Sequence, residues 1–138
     1  MTIHFRHNDL GAKLKKFEEI AFAYILGSSE KGVVKDGSDI DIAIYFVDRE
    51  KDIELRTEII AELEQIIDSF SNYDLVILNS ANSVLSMQAL QGKLLFVKPE
   101  FEDLHAEFYS STCRQYEDDM FWMKQQLKYR GYEIQWNN

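Results

Sequence analysis

The stretch Leu26-Gly-Ser-Ser-Glu-Lys-Gly-Val-Val-Lys-Asp-Gly-Ser-Asp-Ile-Asp-Ile-Ala-Ile44 decides how this chain is read. It holds a Gly-Ser pair, Gly27 and Ser28, then a ten-residue gap, then Asp39-Ile40-Asp41. Side chains alternate along a strand, so Asp39 and Asp41 share one face, and Ile40, Ile42 and Ile44 share the other. The isoleucines can pack on helices. The two carboxylates repel each other unless a cation sits between them. Oxygen ligands at that spacing suit Mg²⁺, which takes one or two carboxylates together with substrate phosphates. Gly27 lets a backbone approach closely, and Ser28 offers a hydroxyl and an N–H to a phosphate. A helical turn beginning there would add a favourable dipole. A phosphate cradle facing a two-carboxylate metal site suits phosphoryl or nucleotidyl transfer. Asp74, which opens Asp74-Leu-Val-Ile-Leu78, is the candidate third acid, as metal ligand, general base or both.

Outward from this stretch the elements alternate in type. Leu10, Leu14 and Phe17 have helical spacing behind Asn8 or Asp9 as an N-cap. Ile20 to Leu26 reads as a buried strand, and Asp39 to Val47 as a second. Between them, Ser28 to Ser38 reads as a polar connection with room for one helical turn. Ile53, Ile59, Ile60, Leu63, Ile66, Ile67 and Phe70 mark one face of a long helix. Tyr73 to Leu78 is a third strand, and Ser83 to Gln91 a short helix capped by Gly92. Lys93 to Lys98 is a fourth strand, and Pro99 opens a last helix that runs to about Tyr129. The second half of that helix carries Tyr109, Tyr116, Met120, Phe121, Trp122, Met123 and Leu127, so it is apolar on more than one side. Such a face is either core or a partner surface. The expectation is an α/β (α+β) fold, a small mixed sheet flanked by helices with a long C-terminal helix. Residues 1–138 form one domain, with a core at about 10–98 and a helical extension at about 99–130.

Composition narrows the function. Lysine and arginine number 15 against 24 acidic residues, a net charge of −9. That balance disfavours a general nucleic-acid binder, which needs a basic footprint, and admits a basic protein partner or cations. Cys113 is the only cysteine, which rules out an intramolecular disulfide and a cysteine-based zinc site. The longest apolar run, Ile20 to Leu26, is far too short for a membrane span. A cytoplasmic, soluble protein is expected. His4, His7 and His105 lack metal-ligand spacing and read as surface or packing residues. Plainer readings stand beside the catalytic ones: Ser28 and Ser29 as helix caps, Lys31 as a solvated loop residue, Asp74 as a strand-start residue.

Gly-Ser-x10-Asp-x-Asp resembles the signature of the polymerase-β-like nucleotidyltransferase superfamily. The short chain is similar to its minimal members, the MNT antitoxins paired with HEPN toxins, over roughly residues 10–98. The resemblance implies that Gly27 and Ser28 hold a nucleoside triphosphate, with Lys31 near the phosphates. It also implies that Asp39 and Asp41 bind Mg²⁺ and that Asp74 completes the triad. Minimal members usually show Ala-Arg-Gly where this chain has Glu30-Lys31-Gly32. Lys31 keeps the positive charge without the bidentate fork, and Glu30 adds a negative charge.

The core is expected to take up nearly the whole of these 138 residues, so the acceptor is expected on another macromolecule rather than in a second domain. The resemblance to MNT antitoxins implies a type VII antidote that transfers AMP from ATP to a tyrosine of a HEPN ribonuclease toxin, in a hetero-oligomer. Two other readings remain. One is a binding module that masks a toxin, motivated by the aromatic terminal helix. The other is an enzyme acting on a small acceptor such as an aminoglycoside.

Overall fold

The computed structural model describes residues 2–26, 33–35, 39–48, 52–65 and 72–131. In chain order the elements are β1 (Thr2–His4), α1 (His7–Lys15), β2 (Ile20–Ile25), β3 (Val33–Lys35), β4 (Asp39–Phe46), α2 (Asp52–Glu64), β5 (Asn72–Ile77), α3 (Ser83–Gln91), β6 (Lys93–Val97), a 3₁₀ turn (Pro99–Phe101) and α4 (Glu102–Tyr129). The main sheet has the order β5-β4-β2-β6. β2 runs antiparallel to β4 and β6, and β4 runs parallel to β5. The parallel pair needs a crossover, and α2 lies within it.

Helices cover both faces of the sheet. On one face, Ile40, Ile42, Ile44 and Phe46 of β4 meet Leu10 and Leu14 of α1 and Ile59 and Leu63 of α2. On the other, Phe22 and Tyr24 of β2 and Ala43 of β4 meet Ala89 of α3, and Leu104 and Phe108 of α4 pack against them. A register shift between Ile20 and Phe22 puts Ala21 and Phe22 in the same cluster. The side chain of Asn79 pins the end of β4, accepting from the Phe46 N–H at 2.8 Å and donating to the Phe46 carbonyl at 2.8 Å. The hydroxyl of Tyr73 donates to the Leu63 carbonyl at 2.9 Å, joining β5 to the end of α2.

Some sequence expectations need correction. Asn8 and Asp9 do not cap α1; Arg6 is the N-cap, and its carbonyl accepts from Asp9 N–H at 3.0 Å. Within the stretch read as a polar connection, Val33–Lys35 is a strand, paired antiparallel with β1 through Ile3 and Val34. Two β-branched residues in a row were the available signal, but their partner lies thirty positions away. Gly92 follows α3 as expected, yet its φ is −79°, so it supplies no left-handed turn. A β-carbon there would lie 2.3 Å from the carbonyl oxygen of Ile25, so the position needs glycine for space. Ile66, Ile67 and Phe70, expected on the α2 face, lie outside the described residues.

α4 has 28 residues, about 42 Å at 1.5 Å per residue, and α3 has nine. The shorter helix cannot cover the longer. Ser83 at the start of α3 donates to Asp119 at 2.5 Å. Beyond that point Phe121, Trp122 and Tyr129 are 56%, 64% and 93% exposed. The apolar end of α4 is thus surface. No described helix is long and apolar enough to cross a membrane.

Candidate active site

β4 places Asp39 at its first position and Asp41 two residues on, so both side chains face away from the isoleucine layer. Asp74 of β5 pairs directly with Asp41 in the parallel register, and Asp39 pairs with Asn72. Tyr73 and Leu75 belong to the α1/α2 side, so Asp74 projects to the α3/α4 side with the other two acids. The structure therefore brings Asp39, Asp41 and Asp74 to one corner of one face, where Asp41 is half-buried and the other two are exposed.

The electrostatics agree with the geometry. Burial pushes the carboxyl of Asp41 above the usual carboxylate range, and the charges of Asp74 and Asp39 push it further the same way. Among the described residues none of the three acids has a lysine or arginine partner. Among those residues no three His, Cys, Asp or Glu side chains are placed to hold a metal ion together. A partly desolvated carboxylate beside two more, with no lysine or arginine partner among the described residues, favours positive charge next to it. A divalent cation that keeps several ligands for water or phosphate fits that donor set.

A cleft of about 550 Å³ opens at this corner, lined by Leu26, Asp41, Asp74, Val76, Leu85, Gln88, Gln91 and Gly92. Leu26 donates its N–H to the Asp41 carbonyl at 2.9 Å, which brings the end of β2 against the acid pair. Gly27, Ser28 and Lys31, expected to hold phosphates, lie outside the described residues. The α3 wall was not foreseen. Its signal, two glutamines three apart on a short helix, acquires meaning only once α3 is placed beside β5.

A second polar cluster lies on the same face. The hydroxyl of Tyr24 hydrogen-bonds His105 Nε2, and the His105 ring packs edge-on against Phe22 at 4.7 Å. Burial pushes the Tyr24 hydroxyl up to about 12, with Tyr109 adding to the shift, and holds His105 below its ordinary value. With His105 neutral, its Nε2 accepts from the tyrosine. This contact ties α4 to β2, which agrees with the packing role expected for His105.

A mixed sheet that gathers three acids at one corner, with helices on both faces, is the framework of a nucleotidyl-transfer domain. The chain belongs to the polymerase beta nucleotidyltransferase family, whose model matches residues 8–101. It is 36% identical over 89 residues to the protein adenylyltransferase MntA of Shewanella oneidensis, covering 64% of this chain and 62% of that relative's length. Its fold is similar to that of a toxin-antitoxin crystallised with AMP-PNP, with a TM-score of 0.65 and 27% identity over 89% of this chain and 93% of the other. It also shares the fold of an MNT antitoxin in complex with the tri-AMPylated Shewanella oneidensis HEPN toxin. There the TM-score is 0.56 and the identity 23%, over 89% of this chain and 93% of the other.

Proposed function

We propose that this protein is a Mg²⁺-dependent adenylyltransferase that moves AMP from ATP to a tyrosine of a HEPN ribonuclease toxin and so acts as its antidote. The observation that carries the reading is the Asp41–Asp74 register pair, with Asp39 on the same face, in a chain of this family. The likeness to a protein adenylyltransferase and to a toxin-antitoxin crystallised with AMP-PNP supports the choice of nucleotide and partner.

Asp39 and Asp41 would hold Mg²⁺, which supplies charge neutralisation for the phosphates. Asp74 takes the proton of the acceptor hydroxyl. The acceptor oxygen then forms a bond to the α-phosphorus while the bond to the bridging oxygen of the β-phosphate breaks, and pyrophosphate leaves. Gly27, Ser28 and Lys31 serve the triphosphate. Residues 10–98 make the transfer core and 99–130 a helical extension, and the reaction takes place in the cytoplasm.

The test is the intact mass of a purified HEPN-type partner protein after incubation with this protein, ATP and Mg²⁺. The expected result is a gain of whole AMP units with the wild type and none with the Asp39→Asn/Asp41→Asn double variant. Full transfer by that double variant would refute the assignment. A second reading is favoured by the exposed Phe121, Trp122 and Tyr129. On that reading the end of α4 docks the toxin and masks it, and neutralisation would survive loss of the carboxylates.

A further inference from the structure

The cleft beside the acids has a wall to which the proposed transfer of AMP assigns no role. Gln88 and Gln91 are both exposed, and both line the cleft with Asp41 and Asp74. Three residues apart on α3, they project from one side of the helix. Neither amide has a hydrogen-bond partner among the described residues. Beside them Leu26, Val76 and Leu85 give the cleft an apolar surface.

The position of this wall relative to the acids is held tightly. Gln91 is followed by Gly92, which lies so close to the Ile25 carbonyl that no β-carbon fits. The next residue after Ile25, Leu26, donates to the Asp41 carbonyl at 2.9 Å. Two backbone contacts therefore link the end of α3 to the acid corner. The volume, about 550 Å³, suits a small organic group that is flat and apolar on its faces and polar at its edge.

We propose that Gln88 and Gln91 form the nucleobase subsite of this protein and select adenine, with Leu85 and Val76 against the base. The inference rests on the reading of the acids as a nucleotidyl-transfer site. A glutamine amide presents one donor and one acceptor side by side, which matches the N6 amino group and the adjacent N7 of adenine. The corresponding edge of guanine shows two acceptors, O6 and N7, and leaves the amide oxygen facing an acceptor. Carboxylates alone are blind to the base, and among the described residues lining the cleft the side-chain amides beside them are those of α3.

The test is calorimetric titration of the full chain with Mg²⁺ and, in turn, ATP, GTP and inorganic tripolyphosphate. The variants are Gln88→Leu, Gln91→Leu and the double substitution. Both positions are exposed, so melting curves serve as the folding control. Each single variant should lose roughly tenfold in ATP affinity and lose the preference for ATP over GTP, with tripolyphosphate binding unchanged. ATP affinity unchanged in the double variant would overturn the inference. So would equal loss for ATP and tripolyphosphate, or a raised KM for the protein acceptor with ATP binding intact, which would make the wall an acceptor surface. If the wild type binds neither ATP nor tripolyphosphate, the reading of the acids fails as well. Binding of both, with unaffected variants, sinks the base subsite alone.

Discussion

Replacing Gly92 with alanine tests how the site is held together. The new β-carbon would sit 2.3 Å from the Ile25 carbonyl oxygen, where real contacts essentially never fall below 3.0 Å. The obstacle is backbone of the strand paired with both β4 and β6, so no side chain can swing aside. The carbonyls of Ala89 and Ile25 crowd the same position, with atoms at 3.3 Å. Either α3 must retreat or the end of β2 must move, by at least several tenths of an ångström. Overpacking of this kind costs about 1–3 kcal/mol. For a domain of this size that lowers Tm by roughly 3–10 °C. Because Leu26 is bonded to Asp41, the shift also reaches the acid corner. Thermal melts and Mg²⁺-ATP titrations of Gly92→Ala should therefore fall together. Gly131→Ala is the contrast: its φ is +89° and nothing among the described residues lies within 4 Å, so its expected cost is backbone strain, about 1 kcal/mol, with nucleotide binding untouched. A Gly92→Ala protein with wild-type Tm and wild-type binding would show that the α3–β2 approach does not position the site.

Further outcomes follow from the same geometry. Asp41→Asn removes a charge that its neighbours disfavour, so the metal-free protein should melt higher at neutral pH while transfer falls by roughly 10²–10³-fold. The raised carboxyl already protonates in the wild type as pH drops, so the gap between the two melting curves should close on acidification; a constant gap would exclude the charge cluster as its source. His105 is held below its ordinary value of 6.5, so its contribution to stability is present above that pH and is lost as pH falls through the folded value. His105→Gln, followed by melts from pH 7.5 to 5, should flatten that part of the profile. Glutamate at Phe121 and Trp122 should leave the unfolding free energy within about 0.5 kcal/mol of wild type, because both side chains are exposed. The same double variant should weaken capture of the toxin in pull-downs, and unchanged capture would remove the end of α4 from the interface.

Much of this protein was legible in one dimension. The alternation of Asp39, Ile40, Asp41 and Ile42 could be satisfied only by a strand with a buried face and a carboxylate face. The α3 boundaries and the main strands followed from apolar runs and their punctuation, because local periodicity and burial point the same way there. The β1–β3 pair was not legible, since pairing between distant short segments depends on where the chain returns. The length of α4 could be read from its pattern, but whether its aromatic end was covered could not. That depended on α3 being only nine residues long and ending its contact near Asp119. The register that sets Asp74 opposite Asp41 belongs to the tertiary structure. So does the glycine-sized gap that brings Gln88 and Gln91 beside the acids, because both depend on how separate elements pack across the sheet.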